Sequence, residues 1–452
     1  MDMNRRDFLK NCAALAAFGA FGKLLSPFES LAAAAPAAAN AGNKDNRKLT
    51  RKAKSVIEIW VWGGPAQLET FDPKPNAPKD YNGGYKAIPT NVPGIEISEF
   101  WPMMAKIADK YSIIRTMTHP YAGHETATYL MQTGRKPGGG RVFPAIGAVI
   151  AMFKRKEYKG DIPPYVILTI PKGRFSEVGF LSEEYNPLVT GGNPNAETFV
   201  VDGIVPPGGL TKEQQARRFE LFEGLDTFGK INAGNPQLAD FAAAGTGARR
   251  IIEGDGAKVF DLSLESNEMR NRYGRTTFGQ SCLTARRLVQ AGVPYITINA
   301  QGWDTHKRHF EVIKRKSAEM DQALSALISD LSEKGLLDDT IIWWTGEFGR
   351  TPKVDWHAPW NGGRNHYSKC FTSLVAGGGF AGGKVVGVSD ETASKVVTRP
   401  VTPQDMLGSI YELCGIDPDG PLPNPMGETN IPVLPPQSEL GRLREIYKEL
   451  QA

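Results

Sequence analysis

The sequence predicts an α/β protein: a three-layer sandwich with a mostly parallel central sheet between two helical layers. Three observations carry this reading. Five short runs rich in β-branched and aromatic residues read as buried strands, stretches of helical period fall between them, and several strands run into glycine turns. In chain order, "SVIEIWVWGG" (Ser55 to Gly64) is the first strand, "PYVILTI" (Pro164 to Ile170) the second and "VPYITINA" (Val293 to Ala300) the third. "TIIWWT" (Thr340 to Thr345) is the fourth, and "FTSLVAGGG" (Phe371 to Gly379) the fifth. A helix over "FGQSCLTARRLVQAG" feeds the third strand. Met320, Leu324, Leu327, Ile328 and Leu331 keep helical spacing before the fourth, with Gly335 as the stop. "TKEQ" (Thr211 to Gln214) is a capping-box start, and residues about 206–254 read as a helical insertion over the sheet. The Pro-rich stretch "PLPNPMGETNIPVLPP" is expected on the surface.

The first 41 residues read as a signal peptide. "NRRDFLK" (Asn4 to Lys10) is a twin-arginine pattern, followed by an apolar stretch and the small-residue run "SLAAAAPAAANA". The apolar part is too short for a stable membrane anchor. A periplasmic or secreted protein is therefore expected, with the twin-arginine translocase as its partner in export. Residues 42–54 are a polar linker, and 55–452 form the mature fold. A net charge of +4 over 452 residues, with no basic cluster interleaved with aromatics, implies no nucleic-acid partner. Outside the leader, Cys282, Cys370 and Cys414 are too few and too scattered for a disulfide framework.

Ligands of open parallel sheets sit at the carboxyl ends of the strands, and those ends carry chemistry here. Glu69 and Asp72 follow the first strand, Asp304 and His306 the third, and Glu347 the fourth, while His366 precedes the fifth. Four of the six histidines (His124, His306, His309, His366) lie beside these turns. Mixed histidine and carboxylate shells suit zinc or manganese, and carboxylates alone suit harder ions. Asp304 and His306, two apart, can face one side of an extended segment. His124 stands near the start of a helix over Glu125 to Met131, as ligand, base or simple cap. Arg350, Arg364 and Lys74 can hold an anionic ester or form surface salt bridges. Each residue also has a plainer reading as a turn cap or solvated side chain.

Several of these stretches carry a resemblance. "GGPAQLETFDPKP", "QGWDTH", "TGEFGRTP", "GGRNHY" and "LVAGGGFAGGKVVGVSD" resemble the bacterial family known as domain of unknown function 1501. That family looks like a branch of the alkaline phosphatase and sulfatase superfamily, which implies an alkaline-phosphatase-like fold. It also implies one or two divalent ions (zinc, calcium or manganese) and hydrolysis of phosphate or sulfate esters, on small molecules or polysaccharides. By this resemblance Glu69, Asp304, His306, Glu347 and His366 form the metal shell. His124 acts as base, extra ligand or unusual nucleophile, and Arg350 and Arg364 hold the anion. There are departures. The superfamily's nucleophile position falls on His124, and its metal-binding Asp-His pair falls on Glu347-Phe348. A non-catalytic binding or assembly protein on a degenerate hydrolase fold is the alternative.

Overall fold

The computed structural model describes residues 53–169, 177–201, 211–225, 256–428, 430–436 and 441–448. The predicted signal peptide and most of the insertion lie outside them. Of the insertion, the helix Lys212–Leu225 is described, opened by Thr211 and Gln214 in reciprocal hydrogen bonds of 2.9 and 3.2 Å.

The central sheet has eight strands: β1 (Ser55–Val61), β2 (Tyr111–Met117), β3 (Tyr165–Leu168), β4 (Leu188–Val189), β5 (Tyr295–Ala300), β6 (Thr340–Thr345), β7 (Phe371–Ala376) and β8 (Lys384–Val386). Their spatial order is β8-β2-β7-β6-β1-β5-β3-β4. All seven residues of β1 are buried, because β1 is central and covered on both faces, with β5 and β6 parallel on either side. Five principal helices cover the sheet: α1 (His124–Thr133), α2 (Ile146–Lys154), α3 (Thr277–Gln290), α4 (His309–Glu333) and α5 (Pro403–Leu413). The alternation of β1 divides the core. Ile57, Ile59 and Val61 pack with Leu283 of α3 and Leu324 and Leu327 of α4. Val56 and Trp60 pack with Met131 of α1, Ile150 of α2 and Leu407 of α5. Each such Leu or Ile contributes about 1.5–3 kcal/mol of burial. This is the predicted three-layer sandwich.

Three details differ from the sequence reading. β7 runs antiparallel to both β6 and β2, so residues just before it lie at the same sheet end as residues just after the parallel strands. β2 escapes notice because Ser112, Arg115 and Thr116 break its apolar pattern, and β4 and β8 because they are so short. The Pro-rich stretch keeps most of its described residues at the surface but sinks Leu422, Ile431, Val433 and Leu434 into the second core. Proline excludes regular sheet pairing there but leaves the intervening apolar side chains free to pack. Cys282, Cys370 and Cys414 are free and buried, as expected. Among the described residues no helix is long and apolar enough to cross a membrane.

One buried polar group stands out in mid-sheet. Glu58 of β1 accepts from Gln132 of α1 and from Thr297 of β5, the latter at 2.9 Å. Burial pushes its carboxyl up to about 7, against those two hydrogen bonds. Between about pH 4.5 and 7 the folded chain keeps a proton that the unfolded chain has lost, so this contribution to stability falls as pH rises through that window. Gln mimics the protonated acid, since the Thr297 hydroxyl can turn to accept. Glu58→Gln is therefore expected to match the parent near pH 5 and to exceed it by about 3 kcal/mol near pH 8 in urea unfolding. Equal stability of the two proteins at both pH values would refute the assignment.

Candidate metal centre

The site lies where β1, β5 and β6 end, β7 begins and α1 begins. Gly63, straight after β1, is what lets these turns meet. Its φ is +105°, and a Cβ there would lie 2.3 Å from the Asp304 nitrogen. Its own N–H donates to Glu347 Oε1 at 2.9 Å. Gly363 does the same on the other side, where a Cβ would lie 1.8 Å from the His306 carbonyl oxygen. Together they close the 304–306 turn between its neighbours.

At the centre, three donor atoms converge. Asp304 Oδ1 lies 3.0 Å from His306 Nε2 and 3.1 Å from His366 Nε2, and the two ring nitrogens are 3.0 Å apart. The far side of each ring fixes its tautomer. His366 Nδ1 meets the Ala122 carbonyl at 2.8 Å, and His306 Nδ1 meets Asn365 Oδ1 at 2.8 Å. Both Nδ1 atoms must donate, which in a neutral ring leaves both Nε2 lone pairs turned on each other and on a carboxylate oxygen. Arg350 reaches Asp304 Oδ1 from one side, and a cation among the three atoms would relieve the two facing lone pairs. Separations near 3 Å are close to those of ligands on one ion with bonds of about 2.0–2.2 Å, right angles giving about 3.0 Å and tetrahedral angles about 3.4 Å. His124, Asp304 and His366 each offer one ligand atom, all within 4.8 Å of one another. The donors thus fit a divalent ion, and their two or three imidazoles favour a zinc-like ion over calcium.

His124 closes the site from the first turn of α1. Its Nδ1 is 2.7 Å from Glu347 Oε1, and its Nε2 is 3.4 Å from Asp304 Oδ2. Hydrogen bonding to Asp304 and then to Glu347 raises the ring to about 9, against partial burial. With a carboxylate at each nitrogen it is an imidazolium in this arrangement, which favours neither base nor nucleophile. Trp62 stacks on it with centroids 4.7 Å apart. Burial pushes the Asp304 carboxyl up, but hydrogen bonds from His124 and Arg350 and the Arg350 charge outweigh that and hold it well below the usual carboxylate range. Glu347 is fully buried, and its Oε2 has no hydrogen-bond partner among the described residues, an orphan acceptor beside the cluster. Phe348 stacks on His366 at 4.4 Å, filling with an apolar ring the place the resemblance gives to a second ligand.

Of the residues read from the sequence, the structure brings together His124, Asp304, His306, Glu347 and His366. Glu69 is not in the cluster. It is buried with Oε2 at 3.1 Å from His309 Nε2 and Oε1 at 2.6 Å from Arg364. The two arginines are not presented to a substrate either. Arg350 is fully buried, donating to Asp304 Oδ1, to the Gly63 and Gly64 carbonyls and to the Arg364 carbonyl. Arg364 is spent on Glu69 and on the Thr351, Pro352 and Tyr81 carbonyls. A carboxylate near each guanidinium, in a space closed to water, draws it inward. Lys74 likewise pairs with buried Asp72 at 2.9 Å.

Sequence reasoning missed His119, Trp62 and Asn365. His119 Nε2 donates to the Glu347 carbonyl at 2.7 Å while Nδ1 accepts from the Tyr121 N–H, and burial pushes this neutral ring down to about 4. Its position after β2 could have been noticed only by recognising that strand. Asn365 adjoins His366 in "GGRNHY", where an amide beside a ligand histidine is a readable signal.

The fold and this cluster define a class: an α/β protein with a histidine–carboxylate centre at the carboxyl edge of its sheet. The chain belongs to the family described as "Protein of unknown function (DUF1501)", whose model matches residues 53–429. No curated protein matches it in sequence. Solved structures similar to it include Ps i-CgsB in complex with k-i-k-neocarrahexaose, at 12% identity, covering 81% of this chain and 73% of that one, with a TM-score of 0.39. A protein in the alkaline phosphatase superfamily from Vibrio parahaemolyticus is 10% identical, with 81% and 67% covered and a TM-score of 0.37. BT1596, a 2-O GAG sulfatase, is 9% identical, with 81% and 71% covered and a TM-score of 0.37. Likeness at this level carries neither substrate nor mechanism.

Proposed function

We propose that this chain is a metal-dependent hydrolase of anionic esters, phosphate or sulfate, exported by the twin-arginine pathway. The observation that carries the reading is the convergence of Asp304, His306 and His366 with both Nε2 lone pairs facing inward. Asp304, His306 and His366 would hold the ion. When bound, such an ion polarises an ester oxygen and eases the ionisation of water. The remaining work falls to side chains. Two carboxylates, Asp304 and Glu347, stand with one guanidinium, Arg350, so a divalent ion leaves the centre positive and suited to an anion. His124 has protons on both nitrogens and is the group able to pass one to a leaving alkoxide. Trp62 and Phe348 fix its plane and keep bulk water from that side.

A second reading has one observation in its favour: both His124 nitrogens face carboxylates, and no Ser, Thr or Cys stands at the nucleophile position. It makes the protein a metal-holding binding or assembly module. Chelator-stripped protein, reloaded with zinc or manganese and assayed on 4-nitrophenyl phosphate and 4-nitrophenyl sulfate, separates the two. The hydrolase reading expects about one ion per chain and turnover that returns with the ion. An ion bound without turnover favours the binding module, and folded protein that binds no ion and turns over neither ester overturns both.

A further inference from the structure

The buried residues that left the metal shell form a device of their own. Beneath the cluster, Thr305, His309, Glu69 and Arg364 close a ring of hydrogen bonds. His309 Nε2 faces a Glu69 carboxylate oxygen and must donate to it, at 3.1 Å. Nδ1 is then the acceptor, taking the Thr305 hydroxyl proton at 2.6 Å. Arg364 donates to the other Glu69 oxygen at 2.6 Å, and its backbone N–H returns to the Thr305 carbonyl at 3.2 Å. Each bond in the ring has an assigned donor and acceptor, with Glu69 accepting from both of its neighbours and Arg364 donating to both of its own. All four residues are at most 4% exposed.

Its place in the chain gives it meaning. Thr305 sits between Asp304 and His306, and Arg364 lies two residues before His366. The ring therefore ties together the two turns that supply all three converging donors, from strands on different sides of β1. A buried ion pair and a buried histidine are poor ways to gain stability compared with apolar packing, and they are well suited to fixing one geometry.

We propose that Glu69, His309, Thr305 and Arg364 are positioning residues, a closed ring that holds the 304–306 and 364–366 turns in register for a divalent ion. This rests on the metal-centre reading above. The ring touches neither ion nor substrate and acts only through the donors it aligns.

The test is zinc affinity by calorimetric titration of the full protein, alongside the melting temperature of the metal-free form. Thr305→Val keeps the shape and removes the hydroxyl, and is expected to weaken zinc binding about 10–100-fold. Thr305→Ser, which restores the hydroxyl, is expected to return to within about threefold of the parent. Thr305→Ala removes the same hydroxyl without the branched methyl and should show the same loss if the valine variant misfolds. Parent protein that binds zinc while Thr305→Val or Thr305→Ala binds it equally well, with only a lowered melting temperature, overturns the ring and leaves the metal centre standing. Parent protein that binds no zinc overturns the metal centre, and the ring's role with it.

Discussion

Replacing His366 by alanine is expected to abolish divalent-ion binding, a loss beyond the about 10–100-fold that removal of an outer partner costs. The variant loses one of three converging donors, and the one whose tautomer is most firmly set, because a backbone carbonyl can only accept from Nδ1. Turnover of either aryl ester should fall with it. The measurement is metal content after exhaustive dialysis, by elemental analysis, with circular dichroism to confirm the fold. His366→Ala protein that keeps a full equivalent of ion would place the ion elsewhere. Asp304→Ala is a weaker test, since that side chain also neutralises buried Arg350.

The second large effect concerns Arg350. From sequence it reads as an anion-binding arginine beside the site, and such a residue could be changed to methionine with little harm to the fold. The structure predicts the opposite. Arg350 is buried, and its guanidinium joins Asp304 to the Gly63, Gly64 and Arg364 carbonyls. Arg350→Met leaves that carboxylate and those carbonyls short of a donor, and is expected to destabilise the protein by about 3–5 kcal/mol. Urea unfolding of the metal-free protein reads this directly. Unchanged stability with a raised KM would restore the arginine to substrate binding.

The layered fold was legible because strands buried on both faces leave unbroken apolar runs, as in β1 and β6, and because α4 is long and regular. β2 was not, since an interior strand with Ser112, Arg115 and Thr116 looks like a loop unless one knows that Arg115 reaches out to the Phe71 and Glu96 carbonyls. At the site, residue type and position at a strand end singled out His124, His306, His366 and Asp304, which the structure brings together. The same signals misplaced Glu69 and both arginines. Nothing in a linear pattern distinguishes a charge turned toward solvent from one buried against a partner 280 or more residues away, as with Glu69 and Arg364. The direction of β7 was equally hidden, although it alone brings His366 to the correct end.

That reversed strand also makes the site depend on the whole sheet. The donors on the 304–306 turn leave β5, and His366 enters β7, with the whole of β6 and its loop threaded between them. Two of the three donors thus stand at the end of β5 and the third at the entrance to β7. Bringing segments so far apart in sequence together costs loop-closure entropy that the sheet contacts must repay. The proposed ion site is complete only where β5, β6 and β7 stand in one sheet around β1.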